Sequence, residues 1–341
     1  MWKSGFKWMF LIIGTIIGAG YASGRELWQF FGHESGLAII LFTILFSLSC
    51  YVILKISHEK KSSHYLPVLE ALVGKKLAYL YDGMIIIYLF STTVVMLAGS
   101  GATFEAFHLP NWWGIVFISI PLVLVFIRGI DGVLSMNSFI IPLLIVGLLS
   151  VLVTFSIQMD LSFIPNIAKQ RNWTAAFTFT ALNILPLIAV LGAVGKQMSS
   201  KGEIWIASLG SGLVLGSISY IYNNSLIQIS EEVLLYEIPL FAILRHYPYA
   251  MFLFISIMLW VAIFTTAVSG TLGLATRIGN MVKAPLWLLA TGLVIAMLPL
   301  TSIGFSTLIE YLYPLYGLLN LYVLSALIVY PIINRYKTGK E

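Results

Sequence analysis

Four glycines, Gly14, Gly18, Gly20 and Gly24, fall within eleven positions midway along the first long apolar segment, and the polar residues Ser23, Arg25 and Glu26 accompany them. Glycine costs about 0.8–1.0 kcal/mol relative to alanine inside a helix. In lipid no water replaces a lost backbone hydrogen bond, so a broken helix survives only where protein or a cavity covers it. The chemistry such a break offers is ion recognition by backbone, with freed carbonyls for a cation and freed amides for an anion. Ser23, with Glu26 three residues on, has capping-box spacing. That spacing predicts a second half-helix from about Ser23 to Phe31, its amides turned towards an anion at mid-membrane. Gly14/Gly18 and Gly20/Gly24 also fit small-xxx-small packing, which explains the glycines but not the polar residues after them. No strand precedes the run, so it is not a dinucleotide fingerprint.

Further along the chain, Tyr88 lies at the middle of the third apolar segment, placed to close over a ligand or to bond a neighbouring carbonyl. Pro186 cannot donate to a helical ladder and Asn183 has the chemistry of an N-cap, so the sixth segment is expected to break between them. Ala262 to Gly270 carries the hydroxyl pair Thr265 and Thr266, which either return hydrogen bonds to their own helix or face a site. Ser230 to His246, with Glu231, Glu232, Glu237 and Arg245, reads as a short external amphipathic helix of lid type. The last segment opens with Glu310, Tyr311, Tyr313, Tyr316 and Asn320. There is no H-E-x-x-H, G-x-x-x-x-G-K-[ST] or G-x-S-x-G, and an enzyme is not expected. The lone Cys50 excludes an intrachain disulfide and a multi-cysteine metal site.

These residues are carried by a chain of 341 residues, 59% hydrophobic and 10% charged, with mean hydropathy +0.95. That balance belongs to a polytopic membrane protein in contact with the lipid bilayer. Ten apolar segments are long enough to span: 5–31, 36–57, 77–106, 112–128, 132–157, 173–198, 203–229, 248–276, 285–304 and 307–333. With both termini cytoplasmic, the inner face holds Lys3, Lys7, Lys55, Lys60, Lys61, Lys75, Lys76, Arg128, Lys196, Lys201, Arg277, Lys283, Arg335, Lys337 and Lys340. The outer face keeps Arg25, Lys169, Arg171 and Arg245, and this asymmetry sets the orientation in the cell membrane. It also absorbs the net charge of +5 with no nucleic-acid partner. Interruptions in segments one and six are corresponding positions of a five-plus-five arrangement. The expected fold is therefore all-α, with ten transmembrane helices in an inverted repeat, 1–158 and 173–341, within one transmembrane domain.

Over nearly its whole length the chain resembles the LeuT fold of the amino acid/polyamine/organocation superfamily. Gly18-Ala19-Gly20-Tyr21-Ala22-Ser23-Gly24-Arg25-Glu26, followed by Trp28 and Phe30-Phe31, looks most like the YkvI-type bacterial membrane proteins. The resemblance implies a sodium ion held by the carbonyls of Gly14 and Ile17 together with Ala262, Thr265 and Thr266. Sodium is expected over a proton, because the lysine that proton-coupled relatives carry in segment five is missing between Asp131 and Gln158. Thr15 stands where relatives with a second sodium have asparagine, and no second ion is expected. Substrate would meet Gly18, Ala19, Gly20, Tyr21, Ala22 and Ser23 by their amides, with Tyr88 and Asn183 on the other side. Arg25 and Glu310 would form an outer gate in which Glu26 substitutes or competes. The implied function is a secondary active transporter of a small zwitterionic or anionic solute, foremost an amino acid, with no cofactor beyond the ion. A receptor or sensor built on the same frame, working through a partner protein, is the reading from another class.

Overall fold

The computed structural model describes residues 2–128, 131–161, 171–279, 282 and 284–338. Lys169, Lys283 and Lys340 of the orientation argument lie outside the described residues, as does the side chain of Ala19. The described chain is helical, with no strand among the described residues. Six helices are long and apolar enough to cross a membrane: Gly36–Glu59, Leu66–Glu105, Lys201–Gln228, Tyr249–Gly279, Leu286–Ile303 and Phe305–Ile333. Asn111–Ile127, Pro142–Gln158 and Ala175–Leu191 are shorter apolar helices.

The first segment divides into three pieces rather than two: α1 (Trp2–Ile16), α2 (Ala19–Ala22) and α3 (Arg25–Phe30). The Ile17 N–H still donates to Ile13 O, but the Gly18 N–H turns to Ile16 O at 2.7 Å, and the α-helical ladder stops there. The second break falls at Gly24, whose φ of +80° is left-handed backbone that suits glycine. Gly24, not Ser23, thus takes the N-cap position of α3, and no side chain caps it. The expected capping box of Ser23 and Glu26 does not form, because the left-handed turn between them sends the two side chains different ways.

Other elements follow in order: α4 (Gly36–Glu59), α5 (Leu66–Glu105), α6 (Asn111–Arg128), α7 (Asp131–Gln158) and α8 (Ala175–Leu191). After these come α9 (Lys201–Gln228), α10 (Ser230–Val233), α11 (Pro239–Leu244), α12 (Tyr249–Gly279), α13 (Leu286–Met297), α14 (Phe305–Leu319) and α15 (Leu321–Thr338). The basic loop expected from His58 to Lys76 is helical from Leu66, and the chain bends at Gly74 to enter the long part of α5.

The expected break at Asn183 and Pro186 is a correction, since α8 runs through both. Asn183 Nδ2 donates to Phe179 O of its own helix at 2.8 Å, so it caps nothing. Pro186 removes one backbone donor, and α8 continues as helix beyond it, packed against α4 and α14. Instead α8 ends at Gly192, beyond which Gly195–Gln197 makes a single 3-10 turn. The terminal carbonyls are taken from outside the helix: Ser57 Oγ donates to Leu191 O at 2.8 Å and Ser62 Oγ to Gly192 O at 2.7 Å. A further interruption, between α14 and α15 at Asn320, divides what hydropathy reads as one segment.

The helices pack in two groups. In one, α4 lies against α8 and α9, and α1 lies against α9 and α8; in the other, α12 lies against α5, α7 and α13, with α6 on α5 and α13. Between them α14 touches α8, α5 and α3, while α2 touches α12. The broken first segment therefore belongs to the first group by α1 and reaches the second by α2.

A glycine contrast tests this geometry. A Cβ at Gly24 would lie 2.7 Å from the Tyr222 ring as well as requiring positive φ, whereas one at Gly83 meets nothing within 4 Å. Gly24→Ala is expected to destabilise the purified protein by about 1–3 kcal/mol. Gly83→Ala should be neutral or slightly stabilising. Melting curves in detergent read both.

Candidate functional site

Where the first segment breaks it abuts the hydroxyl pair of α12. A Cβ built on Gly18 would meet Thr266 Cγ2 at 3.9 Å and Thr266 Oγ1 at 4.0 Å. Because the Gly18 N–H has turned to Ile16 O, the Gly14 carbonyl loses its helical donor. Thr265 Oγ1 donates to Ala262 O at 3.1 Å and Thr266 Oγ1 to the same oxygen at 2.8 Å. Both hydroxyl protons are thus spent within α12, which leaves the hydroxyl lone pairs free to face a cation. Ala262 O already accepts from both hydroxyls.

Of the residues from Gly18 to Ser23, Tyr21, Ala22 and Ser23 do not turn to one common ligand position. Tyr21 is fully buried and its hydroxyl reaches α9, donating to Leu215 O at 3.0 Å and lying 2.9 Å from Ser219 Oγ. Ala22 O accepts the Tyr222 hydroxyl at 3.0 Å. Ser23 Oγ donates to Gly20 O at 2.8 Å and accepts the Arg25 N–H at 3.2 Å, and Ser23 O accepts the Leu240 N–H at 2.9 Å. These side chains sew the break to its surroundings. α3 itself has only six residues, too short to carry the dipole on which the anion reading leaned.

Glu26 takes a place the sequence did not suggest. It is 7% exposed, and its carboxyl lies over Gly20, where a Cβ would overlap it. The helix that carries it, α3, packs against α14, where Tyr313 and Tyr316 stand. Tyr88 and Tyr316 cross edge to face with centroids 5.1 Å apart, and Tyr316 Oη lies 2.6 Å from Ser91 Oγ. Tyr88 thus stands against Tyr316, and the three-residue spacing of Tyr313 and Tyr316 on α14, nearly one helical turn, was the available signal for that pair.

Beside the break α11 is buried along its whole length, held through Leu240. Of the lid-like stretch, Pro239–Leu244 thus sits within the protein, while Leu234, Leu235 and Arg245 stay exposed as expected of an external segment. Glu237 Oε2 accepts the Phe305 and Ser306 N–H groups at 2.9 and 3.3 Å, satisfying the start of α14. Arg25 makes no ion pair among the described residues, and its buried Nε has no hydrogen-bond partner. Glu237 and Glu310 both act on it electrostatically. Glu310 is exposed. The expected Arg25–Glu310 contact is therefore absent among the described residues, and Glu237, a residue sequence reasoning gave no gate role, shares the position.

Towards the N-terminal end of α5, Asp82 pairs with Arg277 and accepts the Tyr65 hydroxyl, tying α5 to α12. Burial, reinforced by Asp82, pushes the Tyr65 phenol up to about 12. A phenol raised from 10.0 contributes its stability below that pH and loses it as pH rises through about 12, so the tie holds across the neutral range.

No protein-family model matches the chain. YyaD of Bacillus subtilis strain 168, an uncharacterised protein, is 50% identical over 337 residues, covering 99% of this chain and all of that protein. YkvI of the same organism, an uncharacterized membrane protein, is 26% identical over 328 residues, 94% of each. The chain belongs to this YkvI-type family of membrane proteins. Among solved structures it is similar to MhsT in complex with L-phenylalanine, with TM-score 0.67 at 14% identity, over 95% of this chain and 88% of that one. A Na+-coupled sialic acid symporter in a substrate-bound outward-open state gives 0.61 at 12%, over 95% and 78%. A manganese transporter of Eremococcus coleocola gives 0.57 at 14%, over 95% and 74%. The fold is that of LeuT, as the glycine-rich break suggested, and the solved relatives are transporters and not enzymes. This family member is a multi-pass membrane protein.

Tyr222 is one of the groups that hold the broken first segment of this chain in place. Tyr222→Phe removes the partner of Ala22 O without changing shape, and a stability loss of about 1 kcal/mol is expected in detergent melts. Tyr220→Phe on the same helix, whose hydroxyl makes no hydrogen bond to the break, should leave the midpoint unchanged within about 0.5 kcal/mol.

Proposed function

We propose that the chain is a secondary active transporter of a small amino compound, with amino acids the class to which the sequence points, working by alternating access. The observation that carries the reading is the meeting of Gly18 with Thr266 beside the buried Glu26 and Tyr88. Interrupted backbone beside hydroxyl oxygens is how inverted-repeat transporters bind ions and solute near the bilayer midplane. In this reading ten segments form two halves, 1–158 and 173–341, of opposite topology, with both termini cytoplasmic. Gly14, Ile17, Thr265 and Thr266 offer oxygens to a sodium ion, with Ala262 as the weaker donor because its carbonyl already serves two hydroxyls. The Na+-coupled symporter among the similar structures supports sodium as the ion.

The group of α1, α4, α8 and α9 would rock against that of α5, α7 and α12. Outside, Arg25 between Glu237 and Glu310 would open and close the path; inside, the Tyr65–Asp82–Arg277 tie would do so.

Uptake into proteoliposomes tests the coupling. Amino compounds are expected to accumulate under an inward sodium gradient and not without one, and equal uptake with and without sodium and proton gradients would make the coupled mechanism wrong. The double variant Thr265→Ala with Thr266→Ala is expected to lose sodium-dependent thermal stabilisation of about 1–3 kcal/mol at saturating salt. A sodium response as large as wild type removes those residues from the ion site.

A further inference from the structure

Glu26 stands apart from the other deeply buried acid. Glu203, 3% exposed, accepts the Ser199 N–H at 3.3 Å in the first turn of α9. Glu26, 7% exposed, has no hydrogen bond and no ion pair among the described residues. A carboxylate in low dielectric is costly unless a cation or several donors meet it. Its chain neighbour Arg25 does not serve, since that guanidinium is under the influence of Glu237 and Glu310 instead. The Gly20 backbone lies beneath Glu26, and α14, which packs on α3, carries Tyr313 and Tyr316, the latter edge to face with Tyr88. Aromatic rings favour a cation above their faces.

The Gly20 to Ser23 stretch is the place where a carboxylate-bearing solute would bind by amides. The Glu26 carboxyl already lies on Gly20, and like charges side by side repel strongly where water is excluded. Ser23 Oγ is committed to Gly20 O and to the Arg25 N–H, so it offers no donor to an incoming anion. An ammonium group answers each of these features. It supplies the missing counter-charge, donates to the carboxyl and sits against the aromatic rings.

Resting on the transporter reading, we propose that Glu26 seats the cationic group of the solute, and that the solute is an organic amine of net positive charge lacking a free carboxylate beside that amine.

The purified full-length protein in lipid nanodiscs is titrated with matched pairs: tyramine and tyrosine, phenylethylamine and phenylalanine, cadaverine and lysine, each with sodium present. At least one amine is expected to stabilise the protein at concentrations about tenfold or more below its parent amino acid. Glu26→Gln should abolish that amine response while keeping the melting temperature of the unliganded protein. Where this variant fails to fold, the wild-type comparison decides by itself. An amino acid that binds as well as its amine, an amine response intact in Glu26→Gln, or no amine response across the series each overturns the proposal. Amine binding without any flux in proteoliposomes would sink the transporter reading and leave the seat standing. Amino acid uptake without amine binding would do the reverse.

Discussion

A broken backbone in lipid has to be covered, and in this chain the cover comes from α9 and α11. The Tyr222 hydroxyl meets Ala22 O, the Tyr21 hydroxyl reaches Leu215 O and Ser219, and the Leu240 N–H closes Ser23 O. Each of these groups would otherwise be an unsatisfied polar atom costing several kcal/mol in hydrocarbon. The result is a break that is irregular in conformation but fixed in position. It cannot open without taking α9 and α11 along, so any rocking of the first group of helices carries the break as part of a rigid unit.

The two ends of the molecule are closed by different kinds of contact. At one end, the end of α8 is held by hydroxyls on its last carbonyls, and α5 is tied to α12 through charges. At the other, α11 lies buried against the break and the carboxylate of Glu237 closes the start of α14. Backbone and carboxylate-to-amide bonds resist exchange with water better than exposed ion pairs, which lose most of their worth to solvent and salt. The half-exposed Arg277 pair is therefore the weaker of the two closures.

Much of the fold was legible because it rests on composition. Long apolar runs and a glycine cluster that no helix tolerates cheaply need no partner to be recognised, and Gly14 to Gly24 led directly to the LeuT fold. The misreadings share a cause. Asn183 and Pro186 carry the local chemistry of a break, yet α8, packed against α4, α14 and α15, continues as helix through both and Asn183 bonds back to Phe179. Asn320 carries no local signal, and the chain is interrupted there. Both outcomes are set by neighbours far away in sequence. Ser23 and Glu26 fail as a capping box for a different reason, since a spacing of three describes a box only when the residues between are helical, and Gly24 at φ +80° is not.

That left-handed residue also separates the roles of Arg25 and Glu26. Consecutive residues on a helix point about 100° apart and do not face each other. Once Gly24 has set the direction of α3, Arg25 is turned towards Glu237 and Glu310, and Glu26 back over Gly20. Two opposite charges adjacent in sequence are thereby kept from neutralising one another. Had α3 started one residue earlier, with Ser23 as its cap, both side chains would have rotated by the same amount and Glu26 would have left Gly20. A single glycine conformation thus decides that the positive charge belongs to the entrance and the negative charge to the interior, and an interior of that sign favours a cation.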